Sequence, residues 1–281
     1  MDEQAVQQFR AEVIARKNLP TLPTVLTKIL QLVDGESSNG RDLIAVIERD
    51  QALTGKMLRL ANSAFFGQSR RVATIPRAVV LLGFTTVRNL ALGVKVWDAL
   101  GAGVSRPRLQ ELWAHGVAVA VATKSLTARL RAGDPDEAFT AGLLHDVGRL
   151  VLAMRFREHY WETAGGAGEA DVLDASESAA FGVDHAEVGA WILEAWSLPA
   201  TIVDAVRLHH TADARTGVPA VLGVADRLVA GTDVARGTVG PTATALLERT
   251  ADRGITPEIW AETVVVLRED GQLAALGRLD A

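Results

Sequence analysis

Ala141-Gly-Leu-Leu-His-Asp-Val-Gly-Arg-Leu-Val-Leu152 sets a histidine and an aspartate side by side within an otherwise apolar run. Apolar text of this kind belongs in a protein interior, where an imidazole and a carboxylate without partners are expensive to bury. Polar company must therefore come from elsewhere in the chain. His145 and Asp146 can reach one common ion only from a helix end or a turned segment, and Gly142 and Gly148 leave room for close approach there.

Working outward, five of the six histidines and two aspartates follow the order His115, His145-Asp146, His185, His209-His210, Asp226. Imidazole nitrogens and carboxylate oxygens are ligands for first-row metals. Glu111 and His115 are four apart, so they share one face of a helix. Asp226 lies in Val221-Leu-Gly-Val-Ala-Asp-Arg-Leu-Val229, which reads as a buried helix. The set His115, His145, Asp146 and Asp226 would satisfy one divalent ion, and His185, His209 and His210 could supply a second, with Asp146 bridging. One or two ions of the Fe, Mn, Zn or Mg kind fit this donor chemistry, and Glu111 is an additional donor. The chain has no cysteine, which excludes thiolate ligands, disulfides and a cysteine nucleophile. Each residue also has a plainer reading. His115 can be a hydrogen-bonded helix residue, His209-His210 a charge at a helix C-terminus, and Asp226 the partner of an arginine. His159 fits no pattern and reads as surface.

Apolar residues recur at three- and four-residue spacing, as in Leu43, Ile44, Val46, Ile47 and in Leu53, Met57, Leu58, Leu60, Ala61. This predicts amphipathic helices throughout and an all-α fold. Helix starts are expected at Thr24, at Ser38-Asn39, and at Thr74 with Pro76 in the first turn. Asp184-His-Ala-Glu187 resembles a capping box that puts His185 in the first turn of a helix running toward Glu194. Leu198-Pro199 then lets the next helix begin, ending at His209-His210. The Gly- and Pro-rich Leu100 to Pro107 stretch suggests a boundary, and Gly165 to Gly168 a loop. The expected organisation is an N-terminal helical subdomain over 1–100, a second helical subdomain over 101–235, and a C-terminal helical extension over 236–281.

The formal net charge of −5 hides an asymmetry. Residues 1–100 hold 13 Lys/Arg against 9 Asp/Glu, leaving 16 against 25 for the remainder. Arg70, Arg71, Arg77, Arg88 and Lys95 form a basic run without an acid, which nucleic acid could meet or which forms a solvated helical face. A helix-turn-helix reading of Ile75 to Val96, with Gly83 in the turn and Arg88 and Lys95 on the second helix, is the corresponding DNA-binding alternative. Residues 1–10 carry Asp2 and Glu3 and no apolar stretch, and no run approaches a membrane span, so the expected location is cytoplasmic with no membrane contact.

In the N-terminal half, Leu19-Pro-Thr-Leu-Pro23, Arg49-Asp-Gln-Ala-Leu-Thr54, Leu60-Ala-Asn-Ser63, Phe66-Gly67 and Ile75-Pro-Arg-Ala-Val-Val-Leu-Leu-Gly83 together resemble the HDOD family, the HD-related output domain of bacterial signalling proteins. The resemblance runs from about Leu19 to Val229. It implies an all-α domain with an N-terminal helical subdomain on an HD-like bundle, acting as a non-catalytic output module that docks a protein partner in a bacterial signalling pathway. Gln51 stands where the family usually has proline, a difference expected only to alter a helix start. The C-terminal half is also similar to the HD-GYP phosphodiesterases, with Glu111, His115, His145, Asp146, His185, His209, His210 and Asp226 on positions that resemble that family's metal ligands. Arg149 replaces the lysine that usually follows the His-Asp pair, which changes the geometry of the charge. The stretch from His210 to Pro219 lacks the Gly-Tyr-Pro signature. No catalytic residue is therefore expected. The alternative, a metal-dependent phosphohydrolase acting on a nucleotide or cyclic dinucleotide, would use Asp146 with the metal and Arg149 to steady the phosphate.

Overall fold

A computed structural model describes residues 2–15, 24–34, 40–62, 71–166, 170–211, 216–234 and 236–269. The first helices are α1 (Glu3–Ile14), α2 (Thr24–Asp34), α3 (Gly40–Glu48), α4 (Gln51–Ala61), α5 (Ile75–Leu82) and α6 (Phe84–Leu100). Their three- and four-residue spacing turns Leu43, Ile47, Leu53, Met57 and Leu60 into one buried layer. Asp50 caps α4 by accepting from the Leu53 amide at 3.0 Å, which makes Gln51 the first helical residue. An amide there has no helical partner, so glutamine serves where proline would. Thr74 accepts from the Arg77 amide and Pro76 sits in the first turn of α5, as expected. The expected start at Ser38-Asn39, the Leu19 to Pro23 motif, Ser63, Phe66-Gly67 and Arg70 lie outside the described residues.

The remaining helices are α7 (Arg106–Leu130), α8 (Pro135–Leu144), α9 (Val147–Phe156), α10 (Glu158–Gly166), α11 (Ala170–Phe181), α12 (His185–Ala195), α13 (Ala200–Leu208), α14 (Gly217–Ala230), α15 (Pro241–Thr250) and α16 (Pro257–Glu269). The long α7 is the spine, packed on α8, α14 and α16, while α12 packs on α9 and α13. Two-residue strands, β1 (Thr232–Asp233) and β2 (Thr238–Val239), pair antiparallel with Thr232 opposite Val239. They pin a turn and add no layer, and the fold is all-α. Among the described residues no helix is long and apolar enough to cross a membrane.

Leu100 to Pro107 forms a tight 3₁₀ turn over Gly101–Gly103 before α7 begins. The helices on its two sides share a core: Trp97 of α6 donates its indole N–H to the Leu143 carbonyl at 2.9 Å and meets Trp113 of α7 edge to face at 5.5 Å. At the other end, Trp260 of α16 is fully buried and donates to the Thr232 hydroxyl at 3.2 Å. Two local readings need correction. Gly165 and Gly166 complete α10 where a loop was expected, and residues 167–169 lie outside the described set. Asp184 does cap α12 through the Glu187 amide at 2.9 Å, but the Glu187 carboxylate accepts from Trp191 and Arg207 and does not close a capping box. A cation is a stronger partner for a carboxylate than a backbone amide.

Candidate metal centre

Six helices deliver the polar residues to one place. Glu111 and His115 lie on α7, His145 closes α8, Asp146 opens α9, His185 opens α12, His209 closes α13 with His210 next, and Asp226 lies on α14. Helix ends serve this purpose because consecutive residues there are released from the helical 100° rotation. Close approach depends on missing side chains. A methyl group at Gly148 would overlap the His185 carbonyl, and one at Gly223 would overlap the His209 carbonyl. These glycines let α9 and α14 lie backbone to backbone against the histidine-bearing helices, and Gly142 does the same for α8 on Ala120.

Backbone acceptors settle the tautomers. His145 Nδ1 lies 2.8 Å from the Gly142 carbonyl and His209 Nδ1 lies 2.6 Å from the Val206 carbonyl. A carbonyl can only accept, so each Nδ1 carries the hydrogen and donates it. In the neutral form of either ring the lone pair is on Nε2, turned inward. Both Nε2 atoms are buried and have no hydrogen-bond partner. His115 Nε2 lies 2.8 Å from Asp226 Oδ1, and His145 Nε2 lies 3.5 Å from both Asp146 Oδ1 and Asp226 Oδ1. His185 Nε2 lies 3.4 Å from Asp146 Oδ1 and 3.0 Å from His210 Nε2. Three groups, His115-His145-Asp146, His145-His209-Asp226 and His185-His209-His210, each hold their donor atoms within 4.8 Å of one another. Glu111 belongs to none of the three. It lines the adjoining cavity one turn before His115.

Burial and neighbouring charge divide the imidazoles. Burial opposes a charge on His185, but the Glu177 carboxylate outweighs it and the ring is pushed up to about 9. Burial, reinforced by the other histidines, holds His209 well below the usual range and lowers His210 to about 4. Burial also works against the ionised forms of Asp146 and Asp226. Coulombic attraction from His145 and Arg149 lowers Asp146 regardless, and the hydrogen bond from His115 with the nearby charge of His145 lowers Asp226. Burial opposes a charge on His145 as well, but Asp146 and Asp226 outweigh it and raise the ring. Ionised carboxylates and neutral imidazoles are the ligand forms a divalent cation requires, so a cation bound here would displace the protons that these carboxylates favour on His145 and His185.

A second layer supports the first. Arg149 donates Nη1–H to Asp146 Oδ2 at 2.9 Å and Nε–H to the Tyr160 hydroxyl at 3.1 Å. Tyr160 donates its O–H to Glu177 Oε1 at 2.9 Å, and Glu177 Oε2 accepts from both the His185 amide and His185 Nδ1 at 2.7 Å. Sequence reasoning missed Glu177 and Tyr160. Glu177 sits in Ser-Glu-Ser text that reads as a solvated face, yet it is fully buried. Tyr160, the chain's single tyrosine, had no spacing to mark it. Asp226 has histidine partners in place of the arginine considered for it, and His159 is exposed, 3.9 Å from Glu162.

A cavity of about 510 Å³ opens onto the cluster, lined by His115, Asp146, Arg149, His185, His210 and Asp226 together with Arg108 and Trp161. Arg108 lies over the Trp161 ring at 4.7 Å and pairs with Glu158.

The basic run does not make a free recognition helix. Lys95 pairs with Asp50 at 3.0 Å, and Arg88 lies over Phe84 and faces Asp134, Asp136 and Glu137. Twelve of the seventeen residues of α6 are buried, from Thr86 and Val87 through Leu100. A helix enclosed in this way cannot lie in a DNA groove, which removes the helix-turn-helix reading of Ile75 to Val96.

The HDOD domain model matches residues 19–212. A solved structure from Shewanella amazonensis, named as a candidate phosphohydrolase, is 25% identical and superposes with a TM-score of 0.74 over 96% of this chain and 98% of that one. A candidate signal transduction protein from Marinobacter aquaeolei is 25% identical with a TM-score of 0.70, covering 92% of this chain and 60% of its own. An uncharacterized protein of Treponema pallidum is 29% identical over 206 residues, which are 69% of this chain and 38% of that protein. The match thus spans under two fifths of that curated relative.

Proposed function

We propose that this chain, which belongs to the HDOD domain family, is a bacterial signal-transduction module that docks a protein partner and holds a divalent metal in its HD-like centre without turning over substrate. The observation that carries the reading is the engagement of Arg149. Its guanidinium is hydrogen-bonded to Asp146 and to Tyr160, and through Tyr160 it is joined to Glu177 and His185. A cation held this way stiffens the ligand cage. It is not the unoccupied charge that a transferring phosphoryl group needs.

The residues present fit a metal, because two buried imidazole Nε2 atoms without hydrogen-bond partners lie beside ionised carboxylates. His115, His145, Asp146 and Asp226 would hold one ion, and His185, His209 and His210 a second. A bound divalent ion would supply a fixed positive charge and Lewis acidity. Glu177 orients His185, the Gly142 and Val206 carbonyls orient His145 and His209, and Arg149 holds one Asp146 oxygen, leaving the other directed at the cluster.

A second reading, a metal-dependent phosphohydrolase, is favoured by the cavity of about 510 Å³ that gives a ligand access to the cluster. Elemental analysis of the purified chain, followed by assays of the metal-loaded form on a chromogenic phosphodiester and on cyclic dinucleotides, separates the two. The expected result is bound metal with no enzyme-like turnover. Turnover that disappears in Asp146→Ala would establish the hydrolase instead.

A further inference from the structure

Asp226 faces the ligand cluster, while a neighbouring stripe of α14, formed by Gly223, Val224 and Arg227, lines a different cavity of about 290 Å³. Three arginines from three elements meet there: Arg227 from α14, Arg249 from α15 and Arg253 from the 3₁₀ turn Ala251–Arg253. Thr211, Thr250 and His209 complete the polar part of the wall. No carboxylate lines it among the described residues, although Glu248 and Asp252 are chain neighbours of Arg249 and Arg253. This gathering runs against composition, since residues 101–281 hold 25 acids against 16 bases.

Close packing builds the wall. Gly223 brings α14 against the His209 carbonyl, which sets Arg227 beside the end of α13, and α15 closes the cavity with Leu246. Guanidinium forks match the geometry of phosphate oxygens, and two or three of them are favoured wherever a compact dianion is held. The volume lies just below the range of about 300–1,000 Å³ in which drug-sized ligands are enclosed. It suits a phosphate or diphosphate group and is too small for a dinucleotide.

We propose that the Arg227-Arg249-Arg253 cavity binds a compact phosphate-class anion, either free phosphate or the phosphate end of a small metabolite, at a site that adjoins the metal centre at His209. The test is calorimetric titration of the full chain, pretreated with chelator so that no metal can recruit the anion, with inorganic phosphate, pyrophosphate and ADP at low ionic strength. Binding of at least one probe is expected, weakened about a hundredfold in Arg249→Gln/Arg253→Gln, because each charge-assisted hydrogen bond contributes roughly tenfold or more. Both substituted positions are exposed, so circular dichroism and metal content should match the parent chain. Inorganic phosphate or pyrophosphate binding as tightly as ADP assigns the site to the free anion, whereas tighter ADP binding assigns it to a metabolite. Absence of binding by all three probes, or equal binding by the double variant, overturns the proposal and leaves the metal-centre reading untouched.

Discussion

Two charged clusters in this molecule are built on opposite plans. In the N-terminal half, Lys95 pairs with Asp50 at 3.0 Å and with Asp98 at 3.8 Å, and Lys56 pairs with Asp98 at 2.5 Å. Each charge has its opposite, and these side chains keep 12–25% of their surface exposed. In the C-terminal half the cluster is nearly dry, with His145, Asp146, His185, His209 and Asp226 each at most 3% exposed. Two of its imidazole Nε2 atoms have no hydrogen-bond partner. The first network is complete as it stands. The second has donor groups that could hold a cation, and its unpaired polar atoms in a low-dielectric interior carry a desolvation cost that packing alone does not offset. The difference separates a cluster whose charges are matched from one that keeps donor atoms to spare.

That contrast breaks most readily at Asp226. Asp226→Ala removes the partner of His115 and His145, and losing one side of a buried pair costs about 3–5 kcal/mol. Urea denaturation should register that loss, and elemental analysis should show metal content falling toward zero. Next in size is the metal itself. If the centre is a ligand site, a divalent ion at about a hundredfold over its Kd adds about 2.7 kcal/mol of stability. Thermal melts with and without chelator should show the shift in the parent chain and none in His209→Ala.

Glu177→Gln sharpens the comparison by keeping the shape and removing the charge that orients His185. Loss of such a supporting partner lowers metal affinity about 10–100-fold, measurable by competition with a chromophoric chelator. Lys95→Met should leave that affinity unchanged and reduce stability by less than about 1 kcal/mol. It should also flatten the acid limb of stability. Burial works against the Asp50 carboxylate, but the Leu53 amide and Lys95 lower its pKa overall. A carboxyl depressed in the folded state contributes stability above the ordinary aspartate range, and that contribution is lost as pH falls through the folded value. Denaturation midpoints between pH 5 and pH 3 should therefore fall less steeply in Lys95→Met than in the parent.

Legibility followed the same division. The seven ligand-type residues from His115 to Asp226 could be picked out because histidine and aspartate are conspicuous in apolar helical text. Glu177 escaped because its flanking serines resemble a solvated helix face, and it is buried by the packing of α11 on α10, α12 and α14. Arg149 could be read as a charge beside the His-Asp pair, but not as one already bound by Asp146 and Tyr160. The basic run likewise looked free until α6 proved to be enclosed. The arginine cavity had no textual sign, since Arg227 and Arg249 are 22 positions apart and belong to separate helices.

The amino-acid sequence by itself determined an all-α chain, its main helix starts and the residue types of its polar centre, because apolar periodicity, capping and donor chemistry are local properties. Tertiary structure alone decided which imidazole nitrogens lack a partner, which charges are already matched and where Glu177 and Arg149 point. Those are properties of distance and dielectric, and they exist only once helices remote in sequence have packed against one another.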